Sequence, residues 1–541
     1  MVKRADLFAA VLVLFGFVLR LWKASGTFFD PDEAMHVIAA IRPTLAAAYQ
    51  ASLRLAHPPL LILLLHFWQH LGRPELMLRL PSVIAGTIFC WAFYRWLGVT
   101  LGGAAALTGL IFACFLPPMI ELSAEVRQYA LLLGFMMLAS WWLEEALRRS
   151  SAGRMILPAA CLYLAMLSHF SGILFAGALG AYGLLRLAGG NCGKRVLAAW
   201  IATQAGAVAI LAFLYKVQIA RLRTSEMARE AMGGTLAASY FHWGSGHWPA
   251  FVFARSFGVF QYVFGQLAVG DLAGLVFLGG AAVLLKKRAS EEPAHARPLA
   301  IFLLLPFVIT CAAALADLYP YGGTRHSAYL APFALAGASY GLVRWLRGRV
   351  VPALAASFAI VVVCAGVGHP HRPYMTRDDQ RRAHMSEAVS FLRQNVEPGQ
   401  PILIDFQSFF PVHYYFCHDV PPLLGTPFPE FIDFSCAGTH VIAANPRTNI
   451  WDRQSFLQQW PGLVQAYGLR PDQTVWVLQM GWDIDLGQQL QAMPEFHDLK
   501  VEYFGRNIQA FRLRVGQAAA RAGEIARNVS TDCAARSGRG H

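Results

Sequence analysis

About eleven apolar runs, each close to the ~20 residues that carry a helix across a bilayer, constrain this chain more than any motif within it. They fall near Leu7–Trp22, Leu80–Leu97, Ala104–Ile120, Tyr129–Leu143, Met155–Ser171, Gly172–Leu187, Val196–Val217, Leu267–Leu285, Leu299–Leu318, Ala328–Val343 and Val350–Val367. A missed or invented span would invert the side of every later connection, so the basic residues test the whole set. With the N-terminal MVKR cytoplasmic, alternate connections should be basic. They are: Arg95; Arg148, Arg149 and Arg154; Lys194 and Arg195; Lys286 to Arg288; Arg344, Arg347 and Arg349. The first run shares its basic start with signal peptides, but Arg20, Trp22 and Lys23 stand where a small-residue cleavage site belongs, so a retained helix is expected.

Composition agrees: 56% of the residues are hydrophobic and 14% charged, too apolar a balance for a soluble enzyme of 541 residues. The net charge of +13 sits in clusters between apolar runs, not on one soluble module, so nucleic acid is not an expected partner. The nine cysteines form no C-x-x-C pair, and most lie singly in apolar runs. Cys417 and Cys436 share a polar region where an oxidising compartment would permit a disulfide, although spacing does not establish that they pair.

The opposite connections hold the unusual residues. The first, about Lys23 to Arg79, contains FFDPDEAMH and HPPLLILLLHFWQHLG, the latter suited to helices lying along the membrane surface. Gln218 to Gln266 mixes basic residues with Tyr240, Phe241, Trp243 and Trp248, which favours the interface. After Val367 a polar linker leads to short apolar strands, PILIDF, THVIAA and QTVWVLQM, alternating with helical segments. VEYFGRNIQAFRLRV predicts a hairpin turning at Gly505 and Asn507. The expected organisation is a membrane domain over residues 1–368, an extracytoplasmic α/β domain over 369–515 and a frayed tail over 516–541.

FFDPDEAMH sets Asp30, Asp32 and Glu33 just outside the first span. Asp30 as N-cap, Pro31 at the first helical position and two acids in the first turn make an ordinary helix start. The same carboxylates suit a general base for an incoming hydroxyl, and both readings hold if one acid caps while its neighbour faces a cavity. His57 precedes two prolines and is equally explained as a polar residue before a helix. Glu121, Glu125, Arg127 and Tyr129 stand at the mouth of the third and fourth spans. Arg127 either snorkels to headgroups or offers its planar fork to a phosphate. His169 marks another turn, where a structural histidine is the plain alternative. In YPYGGTRHSAYLAP a Gly-Gly turn precedes Arg325 and His326, fitting an anion contact or an interfacial cation.

Taken in order, FFDPDEAMH, HPPLLILLLHFWQHLG with ELMLRLPSVIAG, SAEVRQYALLL, LSHF and GGTRHSAYLAPF resemble the dolichyl- or polyprenyl-phosphate-mannose glycosyltransferase superfamily, protein O-mannosyltransferases included, over about residues 1 to 345. The resemblance implies the GT-C fold, an α-helical polytopic membrane protein with surface helices in the first outer loop, here followed by a soluble α/β domain. It implies a hexosyl or pentosyl transferase that takes a polyprenyl-phosphate sugar donor in the bilayer and a hydroxyl acceptor on protein, lipid or glycan. The superfamily's acidic pair falls on Asp32 and Glu33, with Asp32 the expected base. Its His-Pro element falls on His57, its Arg-Tyr element on Arg127 and Tyr129, and its late arginine on Arg325; His169 and His326 join them as expected substrate-binding residues. Members include metal-dependent and metal-independent enzymes, which leaves a divalent Mg or Mn open, with Asp30, Asp32 and Glu33 as candidate ligands. The expected location is a bacterial inner membrane, N-terminus cytoplasmic and C-terminal domain periplasmic.

Three rival readings stand beside this one. A transferase or ligase using a diphospholipid-linked glycan would use a similar acid and arginine set. A lipid-sugar transporter should carry its charges at mid-membrane, whereas here most sit at span ends. A noncatalytic assembly subunit whose outer domain binds a partner leaves the ordered motif set unexplained.

Overall fold

The computed structural model describes residues 2–189, 193–223, 225, 234, 236–244, 246–287, 295–366, 375–425, 428–436 and 438–516. The chain divides into two compact units. One comprises Met1–Ser25 and Pro43–Met375, the other Gly26–Arg42 and Thr376–His541. The expected tail beyond Gly516, together with Arg288 and Val367, lies outside the described residues.

The first unit is helical, and each of the eleven apolar runs forms helix. Among the described residues seven helices are long and apolar enough to cross a membrane, and an eighth span counts if one bent pair is a single crossing. That pair, Gly103–Phe115 and Pro117–Ala124, departs from the straight helix expected over Ala104–Ile120 by bending 59°. Pro117 and Pro118 lack the N–H groups a continuous helix needs, and Leu116 before them is extended. Arg20 takes up the carbonyls at the break. Fully buried in helix Val2–Ala24, it donates to the carbonyls of Ala113 at 2.8 Å and Cys114 at 3.2 Å, which Pro117 and Pro118 leave without helical donors. Each such carbonyl left bare would cost about 1–3 kcal/mol, which explains an arginine inside an apolar run.

The surface helices expected in the first outer connection are Leu45–Ser52 and Leu60–Trp68. Gln218 to Gln266 holds one element the sequence reading lacked, the apolar helix Trp248–Phe264, ended by left-handed Gly265 at φ 68°. The tenth run also starts differently. Arg325–Leu330 is a 3-10 turn, and the helix proper is Ala331–Trp345, with Pro332 in its first turn.

The second unit is built on a six-stranded sheet in the order β2-β3-β1-β4-β6-β5. The strands are β1 (Ile402–Ile404), β2 (Phe431–Cys436), β3 (Thr439–Ala444), β4 (Thr474–Met480), β5 (Val501–Tyr503) and β6 (Ile508–Arg514). β1 runs parallel to β3 and β4, and the outer pairs are antiparallel. Alternation along β1 sends Ile402 and Ile404 to one face with Met385, Leu392 and Phe409, and Leu403 to the other with Trp451, Trp460 and Leu463. The hairpin at Gly505 forms as expected, at φ 69°. β2, an edge strand, was not anticipated, and Cys436 at its end is bonded to Cys417 with a Cα–Cα distance of 5.1 Å.

Residues 26–42 belong to this unit, which the expected domain limits did not anticipate. Thr27 bridges Arg381, the Phe28 N–H donates to Gln380 O at 2.9 Å, and the Arg382 N–H donates to Gly26 O at 2.8 Å. Phe28 is buried in the core face that holds Met385, Ala388 and Phe406.

Candidate active site

In the helical unit the sequence-selected cations and aromatics gather around one histidine. His169 follows helix Ile156–Ser168 and is buried. The Ser171 N–H donates to its Nδ1 at 3.3 Å, and the Ser171 hydroxyl lies 2.8 Å from the same atom. A backbone N–H can only donate, so Nδ1 is an acceptor and the neutral ring carries its proton on Nε2. The Tyr129 ring stands 5.3 Å from the imidazole, and Tyr319 and His326 each 6.5 Å away. Burial holds the pKa of His169 well below the usual histidine value, and the nearby His326, His57 and Arg127 lower it further.

Arg127 is buried in the turn before helix Tyr129–Arg148. Its N–H donates to Glu125 O at 2.8 Å, its own carbonyl accepts from the Ser82 hydroxyl at 3.2 Å, and its guanidinium lies 5.7 Å from the Tyr129 ring centre. His57 is held by its backbone. The Gln218 amide donates to the carbonyls of Ser52 at 3.1 Å, Leu55 at 2.9 Å and His57 at 2.8 Å, which fixes the His-Pro element between two surface helices. Arg325 and His326, both half-buried, occupy the 3-10 turn. The Tyr319 hydroxyl donates to His326 O at 2.9 Å, and burial beside Tyr129 and Tyr329 raises the pKa of that phenol. Tyr262, on the unanticipated helix, lies within electrostatic range of Tyr129 and Arg325.

The Gly-Gly turn has a packing cause. A Cβ on Gly323 would sit 2.6 Å from the Gly258 carbonyl, so glycine is required by the helix alongside. Tyr319 stood in the quoted motif without being singled out; Tyr262, Ser171 and Gln218 carried no local signal, because their roles depend on which helices meet.

The acids belong to the second unit. Asp30 and Glu33, both fully buried, form a capping box that starts helix Pro31–Ala40. Asp30 Oδ1 accepts the Glu33 N–H at 2.8 Å, and Glu33 Oε2 accepts the Asp30 N–H at 3.2 Å. Asp32, half-buried, stands outside the box, and its backbone carbonyl accepts from His36 Nδ1. Asp30 thus has a role, the N-cap. Among the described residues the one group with metal-ligand spacing is His413, Cys417 and Asp419, and Cys417 is spent in the disulfide; Asp30, Asp32 and Glu33 do not converge in that way.

Residues 56–218 match the dolichyl-phosphate-mannose-protein mannosyltransferase family. ArnT from Cupriavidus metallidurans, solved with undecaprenyl phosphate, superposes with a TM-score of 0.51 at 13% identity, covering 93% of this chain and 98% of that one. The archaeal oligosaccharyltransferase AglB from Archaeoglobus fulgidus, solved with an inhibitory peptide and a dolichol-phosphate, gives 0.50 at 11% identity, over 87% of this chain and 69% of that one. This chain has the GT-C fold. A search of curated proteins gave no match. The GT-C fold and the family match together support an integral membrane glycosyltransferase. At these identities the neighbours speak to fold, and the roles of individual residues rest on the geometry above.

Proposed function

We propose that the protein moves a sugar from a polyprenyl-phosphate carrier to a hydroxyl acceptor on the extracytoplasmic face, by one inverting displacement. The observation that carries this reading is the gathering of His57, Arg127, Tyr129 and His326 about His169 from separate segments of the helical unit. Such a group of cations and donors suits a departing phosphate. The carriers bound by ArnT and AglB, both polyprenyl monophosphates, favour the same donor class.

In the reaction, the acceptor O–H gives its proton to Asp32 while its oxygen bonds to the anomeric carbon. The bond from that carbon to the phosphate oxygen breaks, and the lipid phosphate leaves with the electron pair. Arg127 and Arg325 offset the charge, so the step needs no general acid. Asp32 is preferred to Glu33 as base because Glu33 is fully buried in the capping box, whereas Asp32 is half-buried. The alternating basic connections and the Cys417–Cys436 disulfide support a C-terminal domain outside the cytoplasm.

The test is transfer of radiolabelled sugar from synthetic polyprenyl-phosphate donors by the purified protein in lipid. Wild type should release label from the lipid and Asp32→Asn should not; loss of release in EDTA would add a divalent Mg or Mn to the site. Transfer only from diphosphate carriers would replace this reading with the oligosaccharide-ligase class.

A further inference from the structure

The C-terminal sheet has a topological switch at β1: β3 flanks it on one side and β4 on the other, all three parallel. In open α/β sheets the crevice beyond the carboxyl ends of such strands is where ligands commonly bind. Here that rim holds part of the same unit. Gly481, directly after β4, has φ 132°, and a Cβ on it would lie 2.5 Å from Pro31 Cγ. Pro31 opens the acid-bearing helix, which packs on helix Phe406–Val412 directly after β1.

A second grip is the π-turn His413–Cys417. The Tyr415 hydroxyl accepts the Phe29 N–H at 2.7 Å, and the Tyr414 ring meets Phe29 edge-on at 5.1 Å. The Cys417–Cys436 disulfide fastens the end of that turn to β2. The bridge at Thr27 and the burial of Phe28 complete the attachment. The residues from 26 to 33 are therefore held at four points, and the one acid outside the capping box is Asp32.

We propose that the C-terminal α/β unit is the mount for the acid-bearing segment, with Tyr415 and Gly481 as positioning residues for Asp32 and the disulfide as the brace of Tyr415. This rests on the reading of Asp32 as base. It gives the domain a part in the reaction without requiring it to bind the acceptor.

The experiment is hydrogen exchange of the full-length protein in lipid nanodiscs, read by mass spectrometry on wild type, Tyr415→Phe, Gly481→Ala and Asp32→Asn, each also assayed for turnover. The donor is whichever member of a panel of synthetic polyprenyl-phosphate sugars the wild type uses. Tyr415→Phe keeps the ring and removes only the hydroxyl, so the domain should stay folded. Exchange over residues 28–40 should quicken about tenfold, the order expected for one lost hydrogen bond, while β1 and β4 keep their protection. Turnover should fall by a similar factor with KM for the donor unchanged, and reducing the disulfide should act in the same direction. Unchanged protection and turnover in both Tyr415→Phe and Gly481→Ala would overturn the mount. Full turnover in Asp32→Asn would overturn the base assignment instead, leaving the mount standing on the exchange data.

Discussion

The helical unit and the C-terminal unit place functional side chains by opposite means. In the helical unit the polar residues stand at interruptions of helix: Arg127 in a turn ahead of a helix, His169 between two helices, Arg325 and His326 in a 3-10 turn. Each interruption frees backbone groups that neighbours must satisfy: the Ser82 hydroxyl donates to Arg127 O, the His169 ring accepts the Ser171 N–H, and the Tyr319 hydroxyl donates to His326 O. In the C-terminal unit the acids sit at the start of an intact helix, tied down by caps, a β-bridge and a glycine cradle. Of the candidate site residues, the helical unit supplies donors and cations and the other unit carboxylates. Sequence-adjacent residues can thus belong to different units, as Ser25 and Gly26 do.

The two contributions separate kinetically. Asp32→Asn should lower kcat by about 10³-fold, within the span of a general base, and leave donor binding intact in a lipid-carrier binding assay. Arg127→Lys keeps the charge but loses the planar fork, and should lower kcat/KM by about 100-fold, as for one strong transition-state donor. If Asp32→Asn weakened donor binding as strongly as Arg127→Lys, the division of labour would fail.

A smaller effect tests the capping box. Asp30→Ala removes the N-cap and should cost about 1 kcal/mol of local stability, read as faster exchange over Pro31–Ala40. Turnover should fall only severalfold, because the cap orients the helix without touching the acceptor. A loss as deep as that of Asp32→Asn would make Asp30 the base.

Much of this was legible in the sequence. The eleven apolar runs became helical, the third bent at Pro117 and the tenth opening in a 3-10 turn, and FFDPDEAMH announced both its cap and its acids. What escaped depended on tertiary partners. Nothing local says that Phe28 is a core residue of a domain that begins some 350 residues later; its burial follows from pairing with Gln380 and Arg381. Helix Trp248–Phe264 was obscured by aromatics that suit an interface equally well. Gly323 reads as an anion-binding glycine until Gly258 is seen against it.

The smallest effect is a difference in the sign of pH dependence between the two units. His169 has a folded pKa below its unfolded value near 6.5. It therefore contributes stability above that pH, and this is lost as pH falls towards the folded value, where the fold resists the proton the unfolded chain accepts. Asp405, fully buried at the end of β1, has its pKa raised to about 6 by burial, against the lowering of its bonds from Ser408, Gln479, the Trp451 N–H and Gln407. A raised carboxylate pKa has the reverse consequence: its contribution is present near pH 4 and is lost as pH rises to about 6. Acidification through this window should loosen the helical unit around residues 129–171 and tighten the C-terminal sheet. Hydrogen exchange at pH 6.5 and at pH 4.5, corrected for intrinsic rates, resolves the two slopes in one sample. His169→Gln should flatten only the first and Asp405→Asn only the second. If either substitution moved both slopes, the two units would be coupled in stability, and the separation of their contributions drawn above would fail.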